Sequence, residues 1–190
     1  RQGLIGPWSH KYPHFGVPGP AIGFLQHCLR WWDRWLKLKK NGIDNEPVLR
    51  LYMLDSISPR AEYTTRPGRW ITEDKWPSEN IITRTCRLAP MRLIFDKRVI
   101  NADKLSFRSP LRLGLFAGKW CSYAAPPDLP GDQREEDGGA LVFDSDPLPS
   151  DMEILGAPEV NLRIESNCPV AMIAIRLSDV FPHQFRGKPA

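Results

Sequence analysis

The chain has 190 residues, of which 42% are hydrophobic and 25% charged, with a formal net charge of +4. These totals fit an ordinary soluble globular protein with enough apolar material for a core, and they exclude a disordered chain. No run of about 18 apolar residues is present to cross a membrane, and mild, dispersed charge without a recognition motif excludes a nucleic-acid partner.

Nineteen prolines favour turns between short strands over a helical bundle. The four cysteines, Cys28, Cys86, Cys121 and Cys168, are far apart, with no C-x-x-C and no paired histidines. A zinc site is not expected. Cys28 and Cys86 read as small buried hydrophobes, and the pattern suits a reducing compartment, the cytoplasm. The chain opens on Arg1 with neither Met nor a charged-then-apolar leader, so a fragment is expected.

Residues 1–19 are rich in Gly and Pro and read as a loop, with Leu4 and Ile5 as an apolar strand end before Gly6-Pro7-Trp8-Ser9-His10. Pro18-Gly19-Pro20 blocks any helix until about Ala21. From there to Lys40 the spacing predicts one long helix. Leu25, Cys28, Leu29, Trp32 and Leu36 form its apolar face, widened by Trp31, Trp35 and Leu38. A wide buried face is the expectation, with an aromatic cofactor box as the rival. Asp33 and Lys37 are spaced for an i,i+4 ion pair, and Asn41-Gly42 ends the helix. Lys37-Leu38-Lys39-Lys40 reads as a solvated helix end.

After Pro47 the period changes to two, and Val48–Leu54 reads as a strand. A turn-rich stretch holds Pro59, Pro67-Gly68-Arg69-Trp70 and Lys75-Trp76-Pro77. Further strands are expected at Ile81–Leu88, Met91–Phe95 and Leu111–Ala117, with a short apolar run at Ala140–Phe143. Val160, Leu162 and Ile164 alternate with Asn161, Arg163 and Glu165, which predicts a strand with one wet face. Val170–Leu177 is apolar on both faces and is expected to be central. Many short strands with Pro/Gly turns and few helices argue for a β-sandwich of unspecified type.

Ile5-Gly6-Pro7-Trp8-Ser9-His10, followed by Trp31-Trp32-Asp33-Arg34-Trp35-Leu36-Lys37, resembles the CocE/NonD acyl esterases, relatives of the X-prolyl dipeptidyl-peptidases. The resemblance continues through Trp70 and Trp76-Pro77, with R-W standing for the family's W-R. It includes the run from Pro127 to Arg134, Leu141–Leu148, Glu153–Pro158 and Arg176–Pro182. It implies a mainly β fold: an incomplete jelly-roll β-sandwich (galactose-binding-like), preceded by a loop and one long helix from an α/β-hydrolase domain. The implied domains are 1–45, the end of the hydrolase domain, and 46–190, the jelly roll.

By the same resemblance, His10 matches the general base of a Ser-His-Asp triad. The parent would cleave acyl esters or amides, or X-Pro dipeptides. From spacing alone His10 is a loop histidine. Trp8, Trp120 and Tyr123 are the implied substrate-binding residues; for Trp120 and Tyr123 ordinary sandwich packing is an equal alternative. No G-x-S-x-G occurs in the chain, and only nine residues precede His10. The tail from His183 to Ala190 does not resemble the family. The implied partners are an upstream α/β-hydrolase core and a small ester or peptide. Missing last strands would leave an unpaired edge, a route to homo-oligomers. The rival readings are a non-catalytic sandwich binding module and an inactive truncation product.

The remaining polar residues read as structural. Ser9 is a loop polar residue, His14 a surface loop residue, and His27 lies at the helix's polar edge. Asp132 and Arg134 read as an ion pair, and Asp144, Asp146, Asp151 and Glu153 as solvated turns, with calcium as the rival.

Overall fold

Parallel strands cannot be joined by a hairpin and need a crossover. Here β1 (Gly3–Ile5) pairs in parallel with β2 (Leu49–Leu54), and α1 (Phe24–Trp35) lies in the crossover between them. The computed structural model of the chain describes residues 2–95, 104–123, 125 and 128–180. Phe181, Pro182, the tail with His183, and Pro127 lie outside these. The chain divides into two units, Arg1–Pro147 and Leu148–Ala190.

In the first unit, β2 also pairs antiparallel with β3 (Gly68–Glu73), giving the order β1-β2-β3. Gly68-Arg69-Trp70 is therefore strand, not turn. Its side chains explain the difference: Trp70 stands opposite Tyr52 with the rings 5.1 Å apart and edge-on, a cross-strand aromatic pair that stabilises a ladder. After β3, buried Glu73 accepts hydrogen bonds from Ser78 Oγ (2.6 Å) and Asn80 Nδ2 (2.9 Å), which closes the turn around Trp76-Pro77. A hairpin of β4 (Arg87–Ala89) and β5 (Arg92–Ile94) follows. Only the end of the expected 81–88 strand is regular.

The helix is shorter than its periodicity suggests. Leu36 caps it, Leu38 takes the left-handed conformation (φ 56°), and the Lys39 N–H closes on the Asp33 carbonyl. Gly42, expected to end the helix, instead has φ 79° at the head of a single 3-10 turn, Ile43–Asn45. The Asp33–Lys37 pair forms at 2.8 Å, and Lys39 joins it at 3.1 Å.

The expected wide buried face of α1 is not covered by the described residues of this chain. The stripe Leu25, Leu29, Trp32 and Leu36 is exposed, with Leu25 60% and Leu36 72% exposed. The contacts that seat the helix are polar. Arg30 pairs with Glu46 at 2.5 Å and Arg34 with Asp44 at 2.6 Å, so two ion pairs bind α1 to the 43–46 turn and fix its rotation. Among the described residues, Ile43 (1% exposed) and Leu51 (5%) are the buried hydrophobic side chains. Cys28 and Cys86 are half-buried rather than buried; what burial Cys86 has pushes its thiol pKa up, with Arg84 opposing.

Leu111–Ala117 alternates like a strand but folds as successive turns. The N–H groups of Leu113, Leu115 and Ala117 bond the carbonyls three residues back. Those of Gly114 and Phe116 bond the carboxylate of buried Glu136, at 2.6 and 2.7 Å. With five of its seven amides taken in these ways, the segment has few donors left for a ladder. Glu136 lies on α2 (Arg134–Asp137), a short helix that the sequence pattern did not signal. Asp132 and Arg134 form the expected ion pair, with Arg134 Nε 2.8 Å from both carboxylate oxygens.

In the second unit, the described residues 148–180 contain no helix or strand. The strands expected at 160–165 and 170–177 are not formed there, and Val170, Met172, Ile175 and Leu177 are exposed. Alternation sets which side chains would share a face, but a strand also needs a neighbour to take its backbone hydrogen bonds. Among the described residues of this unit, none does so.

Candidate functional site

The loop after β1 is built around a glycine. A Cβ at Gly6 would come within 2.6 Å of the Trp8 ring, so only glycine lets the indole fold back over the chain. The Trp8 Nε1–H donates to the Pro20 carbonyl at 2.7 Å, and its ring packs on Trp70 at 6.1 Å. Trp8 thereby ties the loop to the sheet and to the segment leading into α1. His10 follows two residues later, exposed.

His10 is met by a second loop from far along the chain. Its backbone N–H donates to the Ser122 carbonyl at 2.8 Å. Its ring lies 4.7 Å from that of Tyr123, in edge-to-face geometry. Lys11 Nζ sits 5.4 Å from the centroid of the same Tyr123 ring. The fold thus brings His10 and Tyr123 together and seats Trp8 beneath the same loop. Trp120 is fully exposed and makes no ring contact with them. Among the described residues, no hydroxyl, thiol or carboxylate is hydrogen-bonded to the His10 imidazole.

Two residues that sequence reasoning passed over hold the second loop. Asp128, 2% exposed, accepts on Oδ2 from the N–H groups of Tyr123 (2.8 Å) and Ala125 (3.2 Å). Lys119 Nζ lies 2.7 Å from Oδ1, and the Lys119 N–H donates to the Asp128 carbonyl at 2.9 Å. Gly118 (φ 74°) makes the close pass possible, since a Cβ there would meet Pro130 N at 2.6 Å. An Asp between prolines signals a turn, but its ion partner and the residues it fixes are visible only in three dimensions.

Lys119 first, then the Tyr123 and Ala125 amides, hold the Asp128 carboxyl below its ordinary pKa of 3.8, against the opposing effect of burial. A lowered native pKa means this support is complete above the unfolded value and is lost as pH falls through the native one. The loop is therefore expected to hold at pH 5 and to loosen below about pH 4. Hydrogen exchange at the Tyr123 amide, followed from pH 5 to pH 2, checks this; protection unchanged across that range contradicts it.

The other histidine nearby is not the bare surface residue expected. His14 is half-buried and stacks with Tyr12 (5.7 Å) and Phe24 (6.2 Å). His27 is half-buried on α1. Of the acidic turn, Asp146 is taken by Arg92 at 3.0 Å, and Asp144 lies against Leu93 through its backbone. Asp151 and Glu153 belong to the other unit.

A cleft of about 80 Å³ opens beside the two loops, lined among others by Pro7, Ser9, Tyr63, Arg66, Ser122 and Asp128. Ligand pockets that enclose a small organic molecule run to about 300–1,000 Å³. The site as it stands orients a histidine and an aromatic ring but encloses no substrate.

Comparison with known proteins bears on this incomplete site. The family described as the X-Pro dipeptidyl-peptidase C-terminal non-catalytic domain matches residues 41–189. The chain belongs to this family. Two curated relatives are each 24% identical over 206 aligned residues, which cover 98% of this chain. They are "Putative serine esterase Mb1866c" of Mycobacterium bovis and "Putative serine esterase MT1883" of Mycobacterium tuberculosis. The chain spans 29% of the length of these relatives. No solved structure gives a significant match. Within this X-Pro dipeptidyl-peptidase C-terminal domain chain, Trp120, Tyr123, Lys119 and Asp128 fall in the matched region. Trp8 and His10 precede it. The described residues hold little helix and five short strands in two small sheets, and no helix among them is long and apolar enough to cross a membrane.

Proposed function

We propose that this chain is the C-terminal part of a serine hydrolase that cleaves acyl esters or amides, or X-Pro dipeptides. His10 is the general base of its Ser-His-Asp triad. Residues 1–45 close the α/β-hydrolase domain, and 46–190 form a jelly-roll domain of galactose-binding type. The observation that carries the reading is the registration of His10: a loop anchored by Trp8 presents the imidazole, and a loop of the matched domain meets it with Tyr123. A base must be held at one position relative to the proton it takes.

In this scheme the nucleophilic Ser and the Asp come from the upstream hydrolase core. His10 takes the Ser proton and later gives it to the leaving group. Trp8, Tyr123 and Trp120 contribute apolar wall; Tyr123 and Trp120 keep a polar tip for the substrate, while the Trp8 indole N–H is taken by the Pro20 carbonyl. The upstream core is also the partner that covers the Leu25, Leu29, Trp32 and Leu36 stripe, since burying an exposed Leu or Trp face gains about 1.5–3 kcal/mol per side chain. The parallel β1–β2 pair supports this, as parallel strands are normally covered on both faces. The apolar residues of 160–177 are covered by further strands of the jelly roll or by a second copy. No metal or organic cofactor takes part. Four unpaired cysteines suit the cytoplasm.

A non-catalytic binding module is the second reading, favoured by the fully exposed Trp120, which would suit stacking against a sugar ring. The test separates the two. The 190-residue chain alone is expected to be nearly inactive on a short p-nitrophenyl ester, and the full-length protein to hydrolyse it. Hydrolysis by the chain alone that survives His10→Ala removes His10 from the role. Glycan binding that is lost in Trp120→Ala, with no esterase activity at full length, selects the module.

A further inference from the structure

We propose that Asp128, paired with Lys119, is a positioning residue for His10. Its side chain makes no hydrogen bond to the imidazole or to the loop that carries it. It acts through the 119–128 loop, and the inference rests on the reading of His10 as a base.

The chain of contacts runs in one direction. Lys119 Nζ holds Asp128 Oδ1 at 2.7 Å. Asp128 Oδ2 takes the amides of Tyr123 and Ala125 at 2.8 and 3.2 Å. The Asp128 N–H returns to the Ala125 carbonyl at 2.7 Å, and the Lys119 N–H to the Asp128 carbonyl at 2.9 Å. Lys119, Tyr123 and Ala125 thus converge on one carboxylate. What the loop presents outward is the pair of features that fix His10: the Ser122 carbonyl, 2.8 Å from the His10 N–H, and the Tyr123 ring, 4.7 Å from the imidazole.

Two physical points make Asp128 the controlling residue. A carboxylate this deeply buried is tolerated only with its lone pairs satisfied, and charge-assisted bonds to backbone N–H groups are short and directional. Both partners of His10 belong to residues within two positions of the bonded amides, so a shift of the carboxylate moves carbonyl and ring together. Without that backing, an exposed histidine samples several rotamers, and a base that wanders loses the alignment on which proton transfer depends.

The experiment uses the 190-residue chain and reads the His10 ring C–H resonances by NMR. Tyr123 edge-to-face packing shifts them from the position of a free histidine, and Tyr123→Leu is expected to abolish the shift. Asp128→Ala is expected to do the same from a distance. Asp128→Asn, whose amide oxygen still accepts from Tyr123 and Ala125, should restore part of it. Asp146→Ala, which removes only an exposed pair with Arg92, should change nothing. His10 resonances that move in Tyr123→Leu but stay at wild-type positions in Asp128→Ala overturn the proposal, as do resonances that move in neither.

If Asp128→Ala collapses the dispersed indole N–H signals, Lys119→Met decides instead. It removes an exposed side chain, leaves Oδ1 without its cation, and is expected to move the same resonances part of the way; unmoved resonances there overturn the proposal. Ester hydrolysis is a separate readout. Activity that ignores His10 removes the catalytic reading and leaves the resonance result to judge the positioning.

Discussion

Replacing His10 by alanine in the full-length protein is expected to lower kcat/KM for a p-nitrophenyl ester about 100- to 10,000-fold, the usual contribution of a positioned acid–base group. That corresponds to about 3–5 kcal/mol of transition-state stabilisation. The loss should fall on kcat, with KM little changed, because the histidine takes a proton only as the tetrahedral intermediate forms. Trp8→Ala should reproduce part of this loss at a distance from the chemistry. It removes the hydrogen bond to Pro20 and the packing on Trp70 that seat the loop. A His10→Ala enzyme that keeps most of its kcat rules out His10 as the base and leaves the loop a structural one.

Ile43→Ala is expected to be the most destabilising single truncation among the described residues, at about 2–5 kcal/mol. Ile43 is 1% exposed, in a unit with few other buried apolar side chains. It sits in the 3-10 turn that Arg30 and Arg34 reach through Glu46 and Asp44. A cavity there loosens both the turn and the seat of α1. With total stabilities of about 5–15 kcal/mol for ordinary domains, such a loss is a large share of the whole. Urea unfolding should show a lower midpoint with an unchanged slope. By contrast, Leu29→Ala on the solvent-facing stripe should cost the isolated chain little. Equal losses at the two positions would mean that α1 buries its long apolar stripe after all.

The setting of His10 was legible as a local phrase: Gly6-Pro7-Trp8-Ser9-His10 reads as a turn-prone loop and is one. That Gly6 leaves room for the Trp8 indole, and that the indole bonds Pro20, shows only in three dimensions. The Asp33–Lys37 pair and the Asp132–Arg134 pair were likewise readable, because both partners lie within one turn of chain. The family was legible too, through motifs spread from Ile5 to Pro182, but the tail was misread: it was set outside the family, and the matched region 41–189 runs on through it.

What failed in the reading failed for one kind of reason. Periodicity names a face but not its cover. The stripe on α1 was correctly found, but its cover is not among the described residues of this chain, and the contacts α1 does make here are the Arg30 and Arg34 ion pairs to the next turn. Leu111–Ala117 alternated correctly and still made turns, because Glu136, some twenty residues on, took its amides. Trp70 looked like turn punctuation until Tyr52 stood across from it.

The sequence by itself determined that a helix lies within 21–40, that a strand lies within 48–54, that a loop carries His10, and the family. Only the tertiary structure decided that β1 and β2 run parallel in one sheet, which way α1 faces, and that Asp128 and Lys119 stand behind Tyr123. The first set depends on bonds and packing between residues a few positions apart, which a pattern records. The second depends on contacts between segments tens of residues apart, whose energies no local pattern contains.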